Sequence, residues 1–167
     1  MSAAAAENHL CGVRLVAFDV DGVFTDGRFY LSDDGSESKA FCTQDGFGVR
    51  QLLAAGIEVV VISGRRSEAV ERRMNELGVM HVVQGCADKI AAFSKITAEL
   101  GIADAECVYV GDDVPDLPLL TKVGYAVAVA NAVNSVREQS DYTTLAKGGF
   151  GAVREVCDLV LAARDES

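Results

Sequence analysis

Short, uninterrupted apolar runs alternate along this chain with longer stretches in which apolar residues follow helical spacing. Continuous apolar runs of four to six residues are typical of strands buried on both faces of a sheet. The predicted strands are Val13–Phe18, Glu58–Ile62, Val79–Val83, Cys107–Val110 and Tyr125–Val129. The predicted helices are Gly46–Ala55, Ser67–Leu77, Lys89–Leu100, Val114–Lys122, Val133–Gln139 and Gly151–Ala163. This alternation predicts an α/β domain with a parallel sheet flanked by helices.

One segment interrupts the alternation between the first two predicted strands. Arg28–Leu31 and Ser38–Phe41 are short β-like runs on either side of an Asp-Gly turn, which predicts a β-hairpin insertion at about residues 27–42. We therefore expect one Rossmann-like, doubly wound domain over residues 12–165, with the small hairpin and no large cap domain. Residues 1–11 are expected to form a disordered extension.

The amino-acid composition indicates which classes of partner the protein is not expected to bind. The 167 residues include 15 Lys and Arg against 25 Asp and Glu, a net charge of −10. Such an acidic balance argues against a nucleic-acid partner and against binding to an anionic membrane, because both require clustered basic residues. No apolar run approaches the ~20 residues that span a bilayer. Five scattered cysteines without close pairing predict reduced thiols and a cytoplasmic location.

Polar and charged residues follow several predicted strands at the point where each strand ends. The segments are Asp19–Gly27 after the first strand, Ser63-Gly64-Arg65 after the second and Gly111–Asp116 after the fourth, with Asp88-Lys89 opening a helix between them. Sites in open α/β sheets lie outside the carboxyl ends of the strands. We therefore expect these carboxylates, the hydroxyl group and the lysine to converge at one edge of the sheet.

A cluster of carboxylates is unstable unless a cation neutralises it. Oxygen ligands without neighbouring His or Cys favour Mg²⁺, with Asp19 and Asp112 as the natural direct ligands. Asp113 and Asp116 are expected to support them or to bind a bridging water molecule.

The first strand end also predicts phosphoryl transfer. Asp19 and Asp21 are two residues apart, so both side chains can point to one side, where one carboxylate attacks and the other moves a proton. Ser63, the N–H group of Gly64 and the charge of Lys89 would then stabilise the phosphoryl oxygens.

These segments together resemble the four ordered motifs of the haloacid dehalogenase-like phosphatases. The motifs are Asp19-x-Asp21-Gly22-Val23-x-Thr25-Asp26-Gly27, Ser63-Gly64-Arg65, Lys89 and Gly111-Asp112-Asp113-x-x-Asp116. The resemblance implies that Asp19 is the nucleophile and Asp21 the general acid/base, whose main-chain carbonyl also binds Mg²⁺. It implies that Asp112 completes the metal site.

Further segments resemble one subgroup of that family, which removes the phosphate of an eight-carbon 3-deoxy sugar acid during lipopolysaccharide precursor biosynthesis. They are the hairpin, Asp45-Gly46-Phe47-Gly48, Gln84-Gly85 and Gly148–Glu155. The resemblance implies a homotetramer in which neighbouring subunits partly cover each site. It also implies a substrate site lined by Asp21, Thr43, Gln44, Asp45, Gly46, Arg50, Ser63, Gly64, Arg65, Arg73 and Lys89.

Alternatives remain open from the residues alone. Arg73 has the spacing of an ordinary solvated helix face and need not contact a substrate. For the substrate itself, a related nine-carbon sugar acid phosphate would suit the same chemistry. A different class, the phosphoacceptor receiver domain of signalling proteins, also uses an acidic Mg²⁺ site in a five-strand α/β fold. Receiver domains place an acidic pair on the first strand but phosphorylate an aspartate on a later one.

Overall fold

Six parallel strands form the central sheet of the computed structural model, which describes residues 10–165. The strands are β1 (Leu15–Phe18), β4 (Glu58–Ile62), β5 (His81–Val83), β6 (Cys107–Gly111), β7 (Tyr125–Ala128) and β8 (Tyr142–Thr143). They pair in the order β5-β4-β1-β6-β7-β8. A separate antiparallel hairpin is formed by β2 (Tyr30–Leu31) and β3 (Glu37–Ser38).

Helices flank the sheet. They are α1 (Thr43–Ala54), α2 (Glu68–Leu77), α3 (Lys89–Leu100), α4 (Leu117–Leu120), α5 (Asn134–Glu138) and α6 (Ala152–Asp165), with 3-10 turns at Asp104–Glu106 and Val114–Asp116. Across residues 10–165, none of these helices has the length and apolar character needed to cross a membrane.

The continuous apolar runs form the buried centre of the sheet. Every residue of β1, β6 and β7 is buried, and in β4 only Glu58 is partly exposed. β-Branched side chains such as those of Val59–Ile62 pack well on a pleated surface that is covered on both sides. The predicted α/β class is therefore confirmed.

Strand order separates the two fold classes that remained open. Numbered along the chain without the hairpin, the sheet reads 3-2-1-4-5-6, which is the Rossmann order. Receiver domains have the flavodoxin-like order, 2-1-3-4-5. The receiver alternative is therefore wrong. The order also reverses beside β1, so the carboxyl end of β1 is the expected place for a site.

Several predicted boundaries differ from the structure. The sheet has a sixth strand, β8, whose two residues are too few to give an apolar pattern. Helix α1 begins three residues before the predicted start, and the predicted helix Val114–Lys122 is divided into a 3-10 turn and the short α4. Leu10, assigned above to the N-terminal extension, is buried in the core with 1% exposure. Cys11 is exposed, and residues 1–9 of that extension lie outside the described residues.

Asp45 joins the first and last helices. Its side chain is 1% exposed, and Oδ1 accepts a hydrogen bond from the main-chain N–H of Arg154 at 2.9 Å, in the first turn of α6. A carboxylate at this position satisfies a free helix N–H group and opposes the positive end of the helix dipole. Burial nevertheless raises the pKa of Asp45 above its usual value. Asp45, whose assignment to the substrate site stays a prediction, thus also joins α1 to α6.

We predict that Asp45→Ala lowers the free energy of unfolding by about 1–2 kcal/mol, because the N-terminus of α6 loses its acceptor. Asp45→Asn keeps an acceptor oxygen, so its unfolding midpoint should lie at a higher urea concentration than that of Asp45→Ala. Because burial raises the folded-state pKa, the stability of the wild type relative to Asp45→Asn should fall as the pH rises above about 4, the usual pKa of Asp.

Asp158→Ala is the matched control, since it removes a half-exposed ion pair with Arg154 on the same helix. Such a pair contributes at most about 0.5 kcal/mol. Equal urea midpoints for Asp45→Ala and Asp158→Ala would contradict the role assigned to Asp45.

Candidate active site

The carboxyl ends of β1, β4 and β6 border a cavity of about 340 Å³. We call it the catalytic cavity, and its lining residues are Asp19, Asp21, Gly27, Ser63, Gly64, Arg65, Lys89, Asp112, Asp113, Pro115 and Asp116. All four sequence motifs therefore contribute to one space, because parallel strands present their carboxyl ends at the same edge of a sheet.

The chain turns sharply after β1. The carbonyl of Val20 accepts hydrogen bonds from the N–H groups of Val23, Phe24 and Thr25. The Thr25 hydroxyl then accepts from the N–H groups of Gly22 (3.3 Å) and Gly27 (3.2 Å). This closed turn holds Asp19 and Asp21 at the edge of the cavity.

Gly22 must be glycine for two reasons. Its φ is +95°, a conformation that residues with a side chain rarely adopt, and a Cβ there would lie 2.0 Å from Asp112 Oδ2. The loop before α6 packs equally closely on the other side, since a Cβ at Gly148 would lie 1.7 Å from the main-chain oxygen of Gly22. The catalytic turn is therefore enclosed between two chain segments.

Lys89, the first residue of α3, lies between two carboxylates. Its Nζ is 2.7 Å from Asp19 Oδ1 and 2.7 Å from Asp116 Oδ1. Burial alone would lower the pKa of Lys89, but the two carboxylates raise it above its usual value. The ammonium group is therefore charged at neutral pH. Asp88 places it by capping α3, accepting a hydrogen bond from the Ala91 N–H.

Asp116 accepts hydrogen bonds from four groups around the site. Its Oδ1 accepts hydrogen bonds from Lys89 and from the buried hydroxyl of Tyr109 at 2.6 Å, and its Oδ2 accepts from the N–H groups of Asp112 and Asp113. Both oxygens are thus engaged within the protein. This agrees with a supporting role for Asp116. Tyr109 was missed in the sequence, where it reads as one more residue of an apolar strand.

The donor set fits a hard divalent cation. One oxygen each from Asp19, Asp112 and Asp116 lie within 4.8 Å of one another. Burial and the neighbouring carboxylates raise the pKa of Asp112 to about 8, and burial together with Asp116 raises that of Asp19 to about 6. A cation between them would favour the charged forms. Asp19 and Asp112 are the suitable ligands, because Asp116 is already engaged.

The Asp21 carboxylate faces the hairpin and is absent from this cluster. Its Oδ1 pairs with Lys39 Nζ, and its Oδ2 lies 3.8 Å from Arg65 Nε. A metal contact through the main-chain carbonyl of Asp21 stays a prediction. Sequence reasoning missed Lys39, because no local pattern distinguishes it from an exposed lysine of a hairpin strand.

The turn after β4 supplies neutral donors. Ser63 is buried, with 3% exposure, and its Oγ accepts a hydrogen bond from the N–H of Arg65 at 3.3 Å. Arg65 extends from this turn across the ring of Phe29, 4.0 Å from the ring centre, and pairs with Glu37 Oε2 at 2.8 Å. The hairpin and the phosphate-binding turn are thus joined through one arginine.

The remaining predicted substrate residues do not line the catalytic cavity. Thr43, Gly46, Arg50 and Arg73 border a separate depression of about 520 Å³, together with Phe47, Glu76 and Leu77. We call it the arginine depression. Arg73 pairs with Glu76 at 3.3 Å, and Arg50 donates to the main-chain oxygen of Glu76. Gln44 lies beside the Gly151 turn, and Asp45 is buried beneath α6.

Comparison with known proteins agrees with this geometry. Residues 77–153 match the family model of the haloacid dehalogenase-like hydrolases. The chain is 47% identical over 161 residues to the 3-deoxy-D-manno-octulosonate 8-phosphate phosphatase KdsC of Escherichia coli K12, covering 96% of this chain and 84% of that protein. It is 45% identical over 154 residues to the Yersinia pestis enzyme, covering 92% and 82%.

Solved structures of 3-deoxy-D-manno-octulosonate 8-phosphate phosphatases are also similar to this chain. The Moraxella catarrhalis 3-deoxy-D-manno-octulosonate 8-phosphate phosphatase, solved in complex with magnesium, phosphate and 3-deoxy-D-manno-octulosonate (KDO), superposes with a TM-score of 0.96 at 41% identity. The match covers 99% of this chain and 95% of that one. The Yersinia pestis structure superposes with a TM-score of 0.95 at 43% identity, covering 96% and 87%.

We predict that Mg²⁺ raises the midpoint of thermal unfolding. A ligand that binds only the folded chain stabilises it by about 2.7 kcal/mol at a hundredfold excess over its Kd. Asp112→Asn should lose most of this shift, because a principal ligand is gone. Asp33→Asn, which alters an exposed carboxylate in the hairpin turn, should keep it. Equal shifts in both variants would place the cation elsewhere.

Proposed function

The chain belongs to the family of the 3-deoxy-D-manno-octulosonate 8-phosphate phosphatases, within the haloacid dehalogenase-like hydrolases, and from this premise we propose that it hydrolyses KDO 8-phosphate to KDO and phosphate. The observation that carries the proposal is the geometry around Asp19. This carboxylate is fixed 2.7 Å from Lys89 at the floor of a cavity that Asp21 and the Ser63 turn also line.

In the first step, an Asp19 oxygen attacks phosphorus in line with the sugar oxygen. The bond between phosphorus and Asp19 forms as the bond to the sugar breaks, and Asp21 gives its proton to the departing oxygen. In the second step, Asp21 takes a proton from water as the water oxygen attacks phosphorus. This releases phosphate and restores the Asp19 carboxylate.

The chain holds the transferred group through fixed donors. In this proposal the Lys89 ammonium, the Ser63 hydroxyl and the Gly64 N–H donate to the phosphoryl oxygens; all three residues line the catalytic cavity, and such preorganised donors act without rearrangement. Asp19 and Asp112 would hold Mg²⁺. When bound, the ion supplies positive charge that offsets the charge of the phosphate.

The arginine depression supports a shared active site. Arg50 and Arg73 suit the carboxylate of a sugar acid, but they border a different space from the phosphate site of the same copy. We propose that the protein is a homo-oligomer, a tetramer by analogy with the family resemblance, in which one copy's arginine depression faces a neighbour's catalytic cavity. The exposed hairpin residues Tyr30 and Leu31 offer an apolar contact between copies.

We also propose that the protein works in the cytoplasm, in the synthesis of lipopolysaccharide precursors. Its five cysteines are all free, and Cys107 and Cys157 are buried. Free cysteines suit a reducing compartment.

We predict steady, Mg²⁺-dependent release of phosphate from KDO 8-phosphate, with a kcat/KM above that for the phosphate of a nine-carbon sugar acid. Asp19→Asn should reduce turnover to the background rate, because an amide cannot serve as the nucleophile. Phosphate release by a coupled colorimetric assay measures both.

Asp26→Asn is a suitable control. Its carboxylate caps the neighbouring Arg28 N–H at 3.0 Å and lies outside the lining of the catalytic cavity. If the wild type showed no preference for the eight-carbon substrate, the proposed substrate would be wrong but the phosphatase activity would stand. Normal turnover by Asp19→Asn would contradict the role of Asp19 as the nucleophile.

A mixing experiment tests the shared site. Arg73→Ala should raise the KM for the sugar acid phosphate, since a contact to its carboxylate is lost. Co-expression of Arg73→Ala with Asp19→Asn should recover about a quarter of wild-type activity, because one site in two keeps Asp19 and one neighbour in two keeps Arg73. Activity no greater than that of the two variants assayed separately would mean that each copy acts alone.

A further inference from the structure

Lys39 is a buried lysine that the proposed chemistry does not yet use. Its side chain is 1% exposed, its Nζ contacts Asp21 Oδ1, and Glu37 Oε1 lies 3.7 Å away. Lysine is almost never fully buried unless its charge is paired. The fold therefore commits this ammonium group to two carboxylates, one of which belongs to the catalytic cavity.

Four charges alternate in sign around this point. Glu37 binds Lys39 through one oxygen and Arg65 through the other, at 2.8 Å, and Arg65 also approaches Asp21. Lys39 and Glu37 both come from the β3 arm of the hairpin. The contact is therefore made by the insertion and not by the sheet that carries the rest of the site.

The two oxygens of Asp21 differ as a result. Oδ1 is fixed by the buried ammonium group, whereas Oδ2 lies 3.8 Å from the half-exposed Arg65, beyond hydrogen-bond distance. Among the contacts of the described residues, Oδ2 is thus the oxygen left for the substrate. A general acid must lie within hydrogen-bond reach of the oxygen that it protonates. A side chain held at one oxygen presents the other in one direction.

We propose that Lys39 is a positioning residue: it fixes the Asp21 carboxylate by Oδ1 so that Oδ2 is presented to the leaving oxygen. The inference rests on the acid/base role of Asp21 in the proposed function. The hairpin then contributes to the reaction through Lys39.

Leaving groups of different basicity test this role. A primary alkyl phosphate such as glycerol 3-phosphate needs a proton on its leaving oxygen, whereas p-nitrophenolate leaves without one. In single turnovers with excess enzyme, Lys39→Met should slow phosphoryl transfer from the alkyl ester by about 10²–10³-fold. The aryl ester should lose less than about tenfold, and KM should change little for either.

Two further variants keep the result interpretable. Lys39→Gln retains a hydrogen-bond donor for Asp21 and should fold even where the apolar variant does not. Its loss should also be selective for the alkyl ester but smaller than that of Lys39→Met, because part of the positioning is kept. Lys122→Met removes a lysine paired with Asp104 at 2.6 Å, away from the cavity, and should match the wild type on both esters. Thermal unfolding reports the folded fraction of each variant.

Equal losses on the two esters, or no loss on either, would overturn the proposal for Lys39. A different result would contradict the proposed substrate alone: the wild type hydrolyses these simple esters but shows no preference for KDO 8-phosphate. Wild-type protein that hydrolyses neither simple ester nor the sugar phosphate would overturn both.

Discussion

The active site depends on one buried ammonium group between two buried carboxylates. Lys89 joins Asp19, at the end of β1, to Asp116, beyond the end of β6, and so connects α3 to the two central strands of the sheet. Removing one member of such a group leaves an uncompensated buried charge, which destabilises a protein far more than the intact group stabilises it. Burial and Asp116 raise the pKa of Asp19 to about 6 against the opposing effect of Lys89, so the carboxylate is mostly ionised at neutral pH. Structure and chemistry therefore constrain these three residues together.

The parts of the fold and site that could be predicted from sequence share one property: a local pattern specifies them. Four strands have apolar runs that any buried parallel strand requires, and β-strand ends in such a sheet converge by geometry. Asp19, Ser63, Lys89 and Asp112 were therefore placed together correctly. The strand β8 has only two residues, so no pattern could reveal it, and its place comes from pairing with β7.

Other contacts could not be predicted from sequence because they form only when the chain folds. Tyr109 belongs to an apolar strand, and only the position of Asp116 makes its hydroxyl useful. Lys39 looks like any hairpin lysine until the hairpin folds back onto Asp21. Asp45 stands in a motif typical of a substrate loop, yet α6, more than a hundred residues later, buries it as a cap. Periodicity and spacing carry no information about such contacts, whether the partner is 7 residues away in sequence, as for Tyr109, or 109 residues away, as for Asp45.

The charges around the catalytic cavity favour the proposed sharing of the site between copies. Five carboxylates and two basic side chains line the catalytic cavity, and the hairpin adds Glu37 and Lys39, which leave this balance unchanged. The ammonium groups of Lys39 and Lys89 are already paired with carboxylates, so the described residues around the cavity leave little positive charge to offset a phosphate and a second anionic group. A divalent cation at Asp19 and Asp112 supplies part of the missing charge. Arg50 and Arg73 border a separate depression. In the proposed oligomer a neighbouring copy would supply them, and a chain of net charge −10 would then bind an anion through local fields.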